Sequence, residues 1–268
     1  MTDSPERHGD QRPGDVRQGG RRRFRPTFWA TVCAVPALAI LIALGTWQVQ
    51  RLHWKEGEIA KRVERSQGPA IALPASFPDP AAVEFTRVGL NGSFLHDQEF
   101  YLGARTENGR VGLNIVTPFQ LDDGRTLLVN RGWVPQERRD PATRAEGQLA
   151  GPLEIEALLR TDGWKGVSFA KPPNKPEERF YFWLDLPVMG EGVSQAIITE
   201  VYADAVAAEL PGGLPIGGQT RIALKNDHLE YALTWYSFAV ILLVIYFLFH
   251  YRPERDTGAG GPGDENRA

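Results

Sequence analysis

The strongest pattern in the chain is a pair of long runs in which no charged position interrupts the apolar ones. Phe28 to Trp47 (FWATVCAVPALAILIALGTW) passes twenty residues without a formal charge, and Tyr231 to Tyr251 (YALTWYSFAVILLVIYFLFHY) passes 21. Coiled as a helix, either run covers about 30 Å, the thickness of a bilayer's hydrocarbon core. Trp29 and Trp47 in the first run, and Tyr231, Trp235 and Tyr251 in the second, stand near the ends, where amphipathic rings favour the membrane interface. Pro36 is the one place where a kink is expected. A cleaved secretory signal is the rival reading of the first run, since Arg21-Arg22-Arg23-Phe24 is similar to a twin-arginine leader. The length of the run, and bulky Trp47 where a small-residue cleavage site would stand, favour a retained anchor.

Between the runs the pattern changes. Arg51 to Arg65 (RLHWKEGEIAKRVER) reads as a polar helical extension, which Pro69, Pro74, Pro78 and Pro80 break into an extended linker. Strand-length segments bounded by turn residues follow: 84–94, 99–104, 111–121, 125–134, 153–160, 180–186 and 197–203. Asp122-Asp123-Gly124 joins the third and fourth as a hairpin, and one helical turn is expected near 187–193. The fold class is therefore a membrane protein in which two transmembrane α-helices bracket a β-rich extracytoplasmic domain, a small antiparallel barrel or sandwich. The predicted organisation is a disordered cytoplasmic tail (1–26), a first span (27–50), a helical extension and linker (51–82), the β-rich domain (83–226), a second span (227–251) and a second disordered tail (252–268).

Charge bears on orientation. Basic residues flank the first span on both sides, Arg17, Arg21, Arg22, Arg23 and Arg25 before it and Arg51, Lys55, Lys61, Arg62 and Arg65 after it, so a bare count does not decide. The intervening segment, roughly 180 residues, is too long for the positive-inside rule, so the short basic tails decide: tails inside, domain outside. Asp3, Glu6, Asp10 and Asp15 are unlike a mitochondrial presequence, which favours a bacterial inner membrane over the mitochondrial inner membrane. A net charge of −3 gives no reason to expect nucleic acid as a partner. The single cysteine, Cys33, excludes an internal disulfide and any CxxC pair.

No metalloprotease, nucleophile-elbow or carboxylate–histidine pattern occurs, so no catalytic residues are assigned and the chain does not read as an enzyme. His96 reads as a solvated turn histidine, and His250 lies at the inner end of the second span. The entrance to the second span is richer. Asn226 or Asp227 is a natural N-cap with Glu230 completing a box, which puts His228 in the first helical turn. Tyr231 and Trp235 follow at i+3 and i+7 on its face. A neutral imidazole there can ligate iron in an apolar tetrapyrrole held between helices, with Arg51, Arg221 and Lys225 available to its propionates. The alternative is an interfacial histidine that caps the helix or meets a headgroup. At the end of the first span, Gly45 permits close helix approach, and Gln48 needs a partner if it is to lie in lipid.

These landmarks resemble the Surfeit locus protein 1 family of cytochrome c oxidase assembly factors. The resemblance rests on GTWQVQRLHWK at 45–55, VTPF at 116–119, LLVNRGWVP at 127–135 and PIGGQTRIALKNDHLEYALTWY at 215–236, together with the order anchor, domain, anchor. It implies a non-enzymatic membrane chaperone of the respiratory chain, with its domain on the periplasmic or intermembrane side. The role it implies is binding haem a and aiding its insertion into oxidase subunit I, with haem a synthase or other assembly factors as partners. The non-haem alternative is a scaffold that stabilises an oxidase intermediate. By position, His228 matches the family's haem-linked histidine, a tentative iron ligand. Trp47 and Gln48 match the first-span motif, and Asn226, Tyr231, Thr234 and Trp235 match the second, so Gly45, Trp47, Gln48 and Thr234 form the expected helix-pairing set. Gly132 sits in the family's N-R-G-W-V-P turn and reads independently as a bulge or a close backbone approach. His53 has no family counterpart, and Leu184 replaces a basic residue.

Overall fold

A computed structural model describes residues 22–163 and 168–253. The expected tail disorder at 1–21 and 254–268 lies outside those residues. The chain divides into a helical unit (1–53 and 227–268) and a lobe (54–226). In chain order the elements are β1 (Arg22–Phe24), α1 (Phe28–Gln67), β2 (Ile71–Ala72), β3 (Arg87–Phe94), β4 (Phe100–Glu107), β5 (Arg110–Leu121), β6 (Thr126–Pro135), β7 (Leu153–Arg160), β8 (Phe180–Tyr181), α2 (Leu186–Glu191), β9 (Tyr202–Ala205), α3 (His228–His250) and β10 (Tyr251–Pro253).

Two helices, α1 and α3, are long and apolar enough to cross a membrane by length and composition. Only 6% and 11% of their apolar windows are covered by protein, so neither is the core helix of a soluble fold. α1 runs unbroken through Pro36 and on past the apolar run, roughly 60 Å in all, with the expected polar extension as its last turns. Residues 22–24, placed in a disordered tail by composition, instead form β1, which pairs antiparallel with β10 from Arg22↔Pro253 to Phe24↔Tyr251.

The lobe is built on a ring of five strands. β3 pairs with β7, β7 with β9, β9 with β6, β6 with β5, and the far end of β5 returns to β3 through Phe94↔Phe119. A closed ring with an odd number of strands cannot alternate direction all the way round, so at least one joint must be parallel. Here it is β6–β9, through Val129↔Ala203. The sheet is thus mixed, correcting the antiparallel expectation. β2 on β3 and β8 on β4 add two short parallel pairs at its margins. The predicted strand at 180–186 keeps only Phe180–Tyr181, and the one at 197–203 is displaced to Tyr202–Ala205.

Residues at two-residue spacing fill the ring: Val88 and Leu90, Phe119 and Leu121, Leu127 and Val129, Ala157 and Leu159, closed by Phe77 and Val201. The intervening side chains of β4, β5, β6 and β9 (Phe100, Leu102, Val116, Leu128, Tyr202) are covered from outside by Tyr181, Leu184, Leu186 and Met189. Every residue of β6 is therefore buried, which explains why Leu127, Leu128 and Val129 follow one another without the alternation of a one-sided strand.

A bulge breaks the β5–β6 register between Ile115↔Gly132 and Val116↔Asn130, leaving Arg131 as the extra residue. Gly132 has φ +122°, and a Cβ there would stand 2.0 Å from the Ile216 carbonyl oxygen. Ile216 lies so close because its backbone exchanges two hydrogen bonds with Trp133, at 2.9 and 2.8 Å. Both readings of this glycine, bulge and close approach, hold together. Gly132→Ala should cost about 3 kcal/mol of stability, measured by urea unfolding of the full chain in detergent with tryptophan emission. A loss below about 0.5 kcal/mol would contradict this contact.

Candidate functional site

Within the helical unit the covered positions form one seam. They recur at Thr31, Ala34, Leu38, Leu41, Gly45, Gln48 and Leu52 on α1, and at His228, Ala232, Trp235, Ala239, Leu242, Tyr246 and His250 on α3. Steps of three and four are those of two helices packed side by side. The helices approach closely at Gly45, where an added Cβ would lie 2.7 Å from the Tyr236 ring. Polar ties cross the seam, four of them between side chains of known geometry. Thr27 Oγ1 meets His250 Nε2 at 2.9 Å, Thr31 Oγ1 meets the Tyr246 hydroxyl at 2.7 Å, and Thr46 Oγ1 meets the Tyr236 hydroxyl at 3.2 Å. The fourth joins Gln48 Oε1 to His228 Nδ1 at 2.7 Å.

That last bond fixes a chemical state. An amide carbonyl oxygen only accepts, so Nδ1 carries a proton and donates it, and in the neutral imidazole Nε2 then keeps its lone pair. His228 Nε2 has no hydrogen-bond partner among the described residues. Two other histidines differ. His250, fully buried, donates from Nδ1 to the Tyr246 carbonyl and accepts on Nε2 from Thr27. His96 donates from Nε2 to the Leu149 carbonyl at 2.9 Å, with Nδ1 facing Arg131 Nη1 at 3.4 Å. His228 is half covered and keeps one nitrogen open.

Around it the predicted residues divide. Gly45, Gln48 and Trp235 lie on the seam with His228. Trp47 and Tyr231 are exposed, and the Thr234 hydroxyl turns back to the Glu230 carbonyl of its own helix at 2.8 Å. Arg51 is exposed, three residues beyond Gln48 on α1. Arg221 and Lys225 are exposed residues of the lobe, where the Lys225 carbonyl accepts from Lys55 Nζ. α3 begins at His228 as expected, but the Asp227 side chain makes no capping hydrogen bond, so the capping box does not form. The sequence reading missed Thr27, Thr31, Tyr236 and Tyr246, and it placed His250 at the end of the second span without a role. Their signal was polar groups recurring at helical spacing inside an otherwise apolar run.

The lobe holds a separate polar cluster. Arg144 and Glu99 form an ion pair with side chains 1% and 4% exposed. Arg131 lies beside them, donating to the Gly147 carbonyl and stacking 4.6 Å over Phe94. Burial brings the Arg131 guanidinium down to about 10, with Arg144 acting in the same sense. His96 is thus part of a half-buried network, correcting the solvated-turn expectation. Burial lowers its pKa from the ordinary value, Arg131 and Arg144 add to this, and the Leu149 carbonyl and Glu99 oppose it.

The chain is similar to proteins of one family. The SURF1 family model matches residues 35–240. A SURF1-like protein of Monosiga brevicollis is 36% identical over 247 residues, covering 88% of this chain and 92% of that one. Surfeit locus protein 1 of Mus musculus is 37% identical over 229 residues (80% and 72%), and that of Homo sapiens 35% over 222 (76% and 72%).

The depressed His96 value has a consequence for stability. The folded state binds fewer protons than the unfolded state below the unfolded value of about 6.5. Stability is therefore full above that pH and falls as pH drops from about 6.5 toward the folded value. His96→Gln should flatten this slope in chemical unfolding measured between about pH 7.5 and 5; an unchanged slope would exclude His96 as its source.

Proposed function

Because this chain belongs to the SURF1 family, we propose that it is a non-catalytic, membrane-embedded assembly factor of cytochrome c oxidase that binds haem a and aids its insertion into subunit I. α1 and α3 cross the bilayer, the lobe stands on the outer side, and the membrane is one that houses such an oxidase, the inner membrane of a bacterium or of a mitochondrion. The relatives named above are eukaryotic, which supports the mitochondrial alternative to the bacterial assignment.

The observation that carries the haem reading is the state of His228. A ligand imidazole needs one nitrogen with its lone pair free and the other held by a hydrogen bond, and His228 has both through Gln48. The donor set also fits a haem carried temporarily. One imidazole binds less tightly than two, which suits hand-over, and iron ligation with redox capacity is the chemistry the group would bring. Trp235, two turns further along the same seam, offers an aromatic wall, and Arg51 a cation for a propionate.

The test is the visible absorption spectrum of the full chain purified in detergent from cells that make haem a. The wild type should carry haem a pigment and His228→Ala at least about tenfold less. Equal pigment in both would overturn the assignment of His228. A colourless wild type would leave the assembly role to a scaffold that binds no cofactor.

A further inference from the structure

We propose that Gln48 is the positioning residue of this site: its side-chain carbonyl takes the Nδ1 proton of His228 and thereby presents Nε2 as the donor nitrogen. The inference rests on the reading that His228 ligates iron. A neutral imidazole can carry its proton on either nitrogen, and the hydrogen bond made by one nitrogen decides which lone pair is free. The bond here is 2.7 Å, and Gln48 is 9% exposed, so little water competes for Nδ1. Gly45, one turn earlier on the same face, lets the helices approach closely enough for that contact. Gln48 also points inward while its neighbour Trp47, 53% exposed, points out. A glutamine in this place is costly unless it is answered, and the answer is the one imidazole nitrogen that is not needed for ligation.

A merely structural glutamine would tie the helices without regard to the imidazole's proton, so the proton is what to observe. The full chain, labelled with 15N-histidine and held in detergent without haem, is read by nitrogen NMR, and the His228 signals are assigned by their loss in His228→Ala. Wild type should have a protonated Nδ1 and an unprotonated Nε2. Gln48→Met, similar in length but without a strong acceptor, should move the proton toward Nε2, and Gln48→Glu, which restores an accepting oxygen, should return it to Nδ1. In a second arm, ferric haem b is added to the same samples as the probe. Gln48→Met should weaken its binding by about tenfold or more, with Gln48→Glu close to wild type.

A wild type that carries its proton on Nε2 overturns the proposal without recourse to any variant, and so does an unchanged tautomer in Gln48→Met. If the tautomer follows Gln48 but wild type and His228→Ala bind the probe equally, the haem reading falls and Gln48 is left holding a histidine that is no ligand. The two failures are thus separable.

Discussion

An amide buried between two helices has to find a hydrogen-bonding partner, and in this chain that necessity joins α1 to α3 at Gln48 and His228. Leaving such a group unanswered costs about 1–3 kcal/mol, while answering it with a histidine does more than cancel the cost. It orients a ring, fixes a proton and leaves a donor nitrogen open. The same seam is closed at its other end by Thr27, Thr31, Tyr246 and His250, where both nitrogens of the histidine are used up. One end of the helix pair is therefore fully satisfied and the other keeps one unspent nitrogen. That asymmetry is the physical content of the proposed site.

The lobe follows a different logic, in which ring closure sets the constraints. Five strands force one parallel joint, and β9 supplies it by entering between β6 and β7. Burial of β6 on both faces removes solvent from the N-R-G-W-V-P turn. Asn130 then bonds to Asp204, Arg131 is turned into the cluster with His96, and Gly132 admits the Ile216 backbone. One short motif thus serves the register, the polar network and the anchoring of residue 216, a few positions before α3 begins. Beside the ring, the buried Arg144 is matched to Glu99, while Arg131 on β6 is held by the Gly147 carbonyl.

Much of this was legible in the chain, and the limits have physical causes. Charge-free runs and two-residue alternation are local signals, so the two long helices, the β5–β6 hairpin and β7 at Leu153–Arg160 could be read directly. Gln48 announced a need for a partner, and Gly45 a close approach, because lipid makes both requirements strict. The direction of β9 is a property of the closed ring and leaves no mark on residues 197–203. His96 looked solvated because its turn residues are polar, whereas its burial comes from Leu149 and Arg131, far along the chain. The tie of β1 to β10 was hidden for the same reason, since Arg22–Phe24 acquires its strand only from residues that follow α3.

The account stands or falls on a bond between His228 and iron, and electron paramagnetic resonance of the ferrous nitrosyl haem complex addresses it most directly. With the full chain made from 15N-histidine and loaded in haem-a-producing cells, the account predicts a splitting from one imidazole nitrogen. That splitting should change with the isotope and vanish in His228→Ala. A nitrosyl spectrum that ignores the label would mean that the iron is held by something other than this histidine.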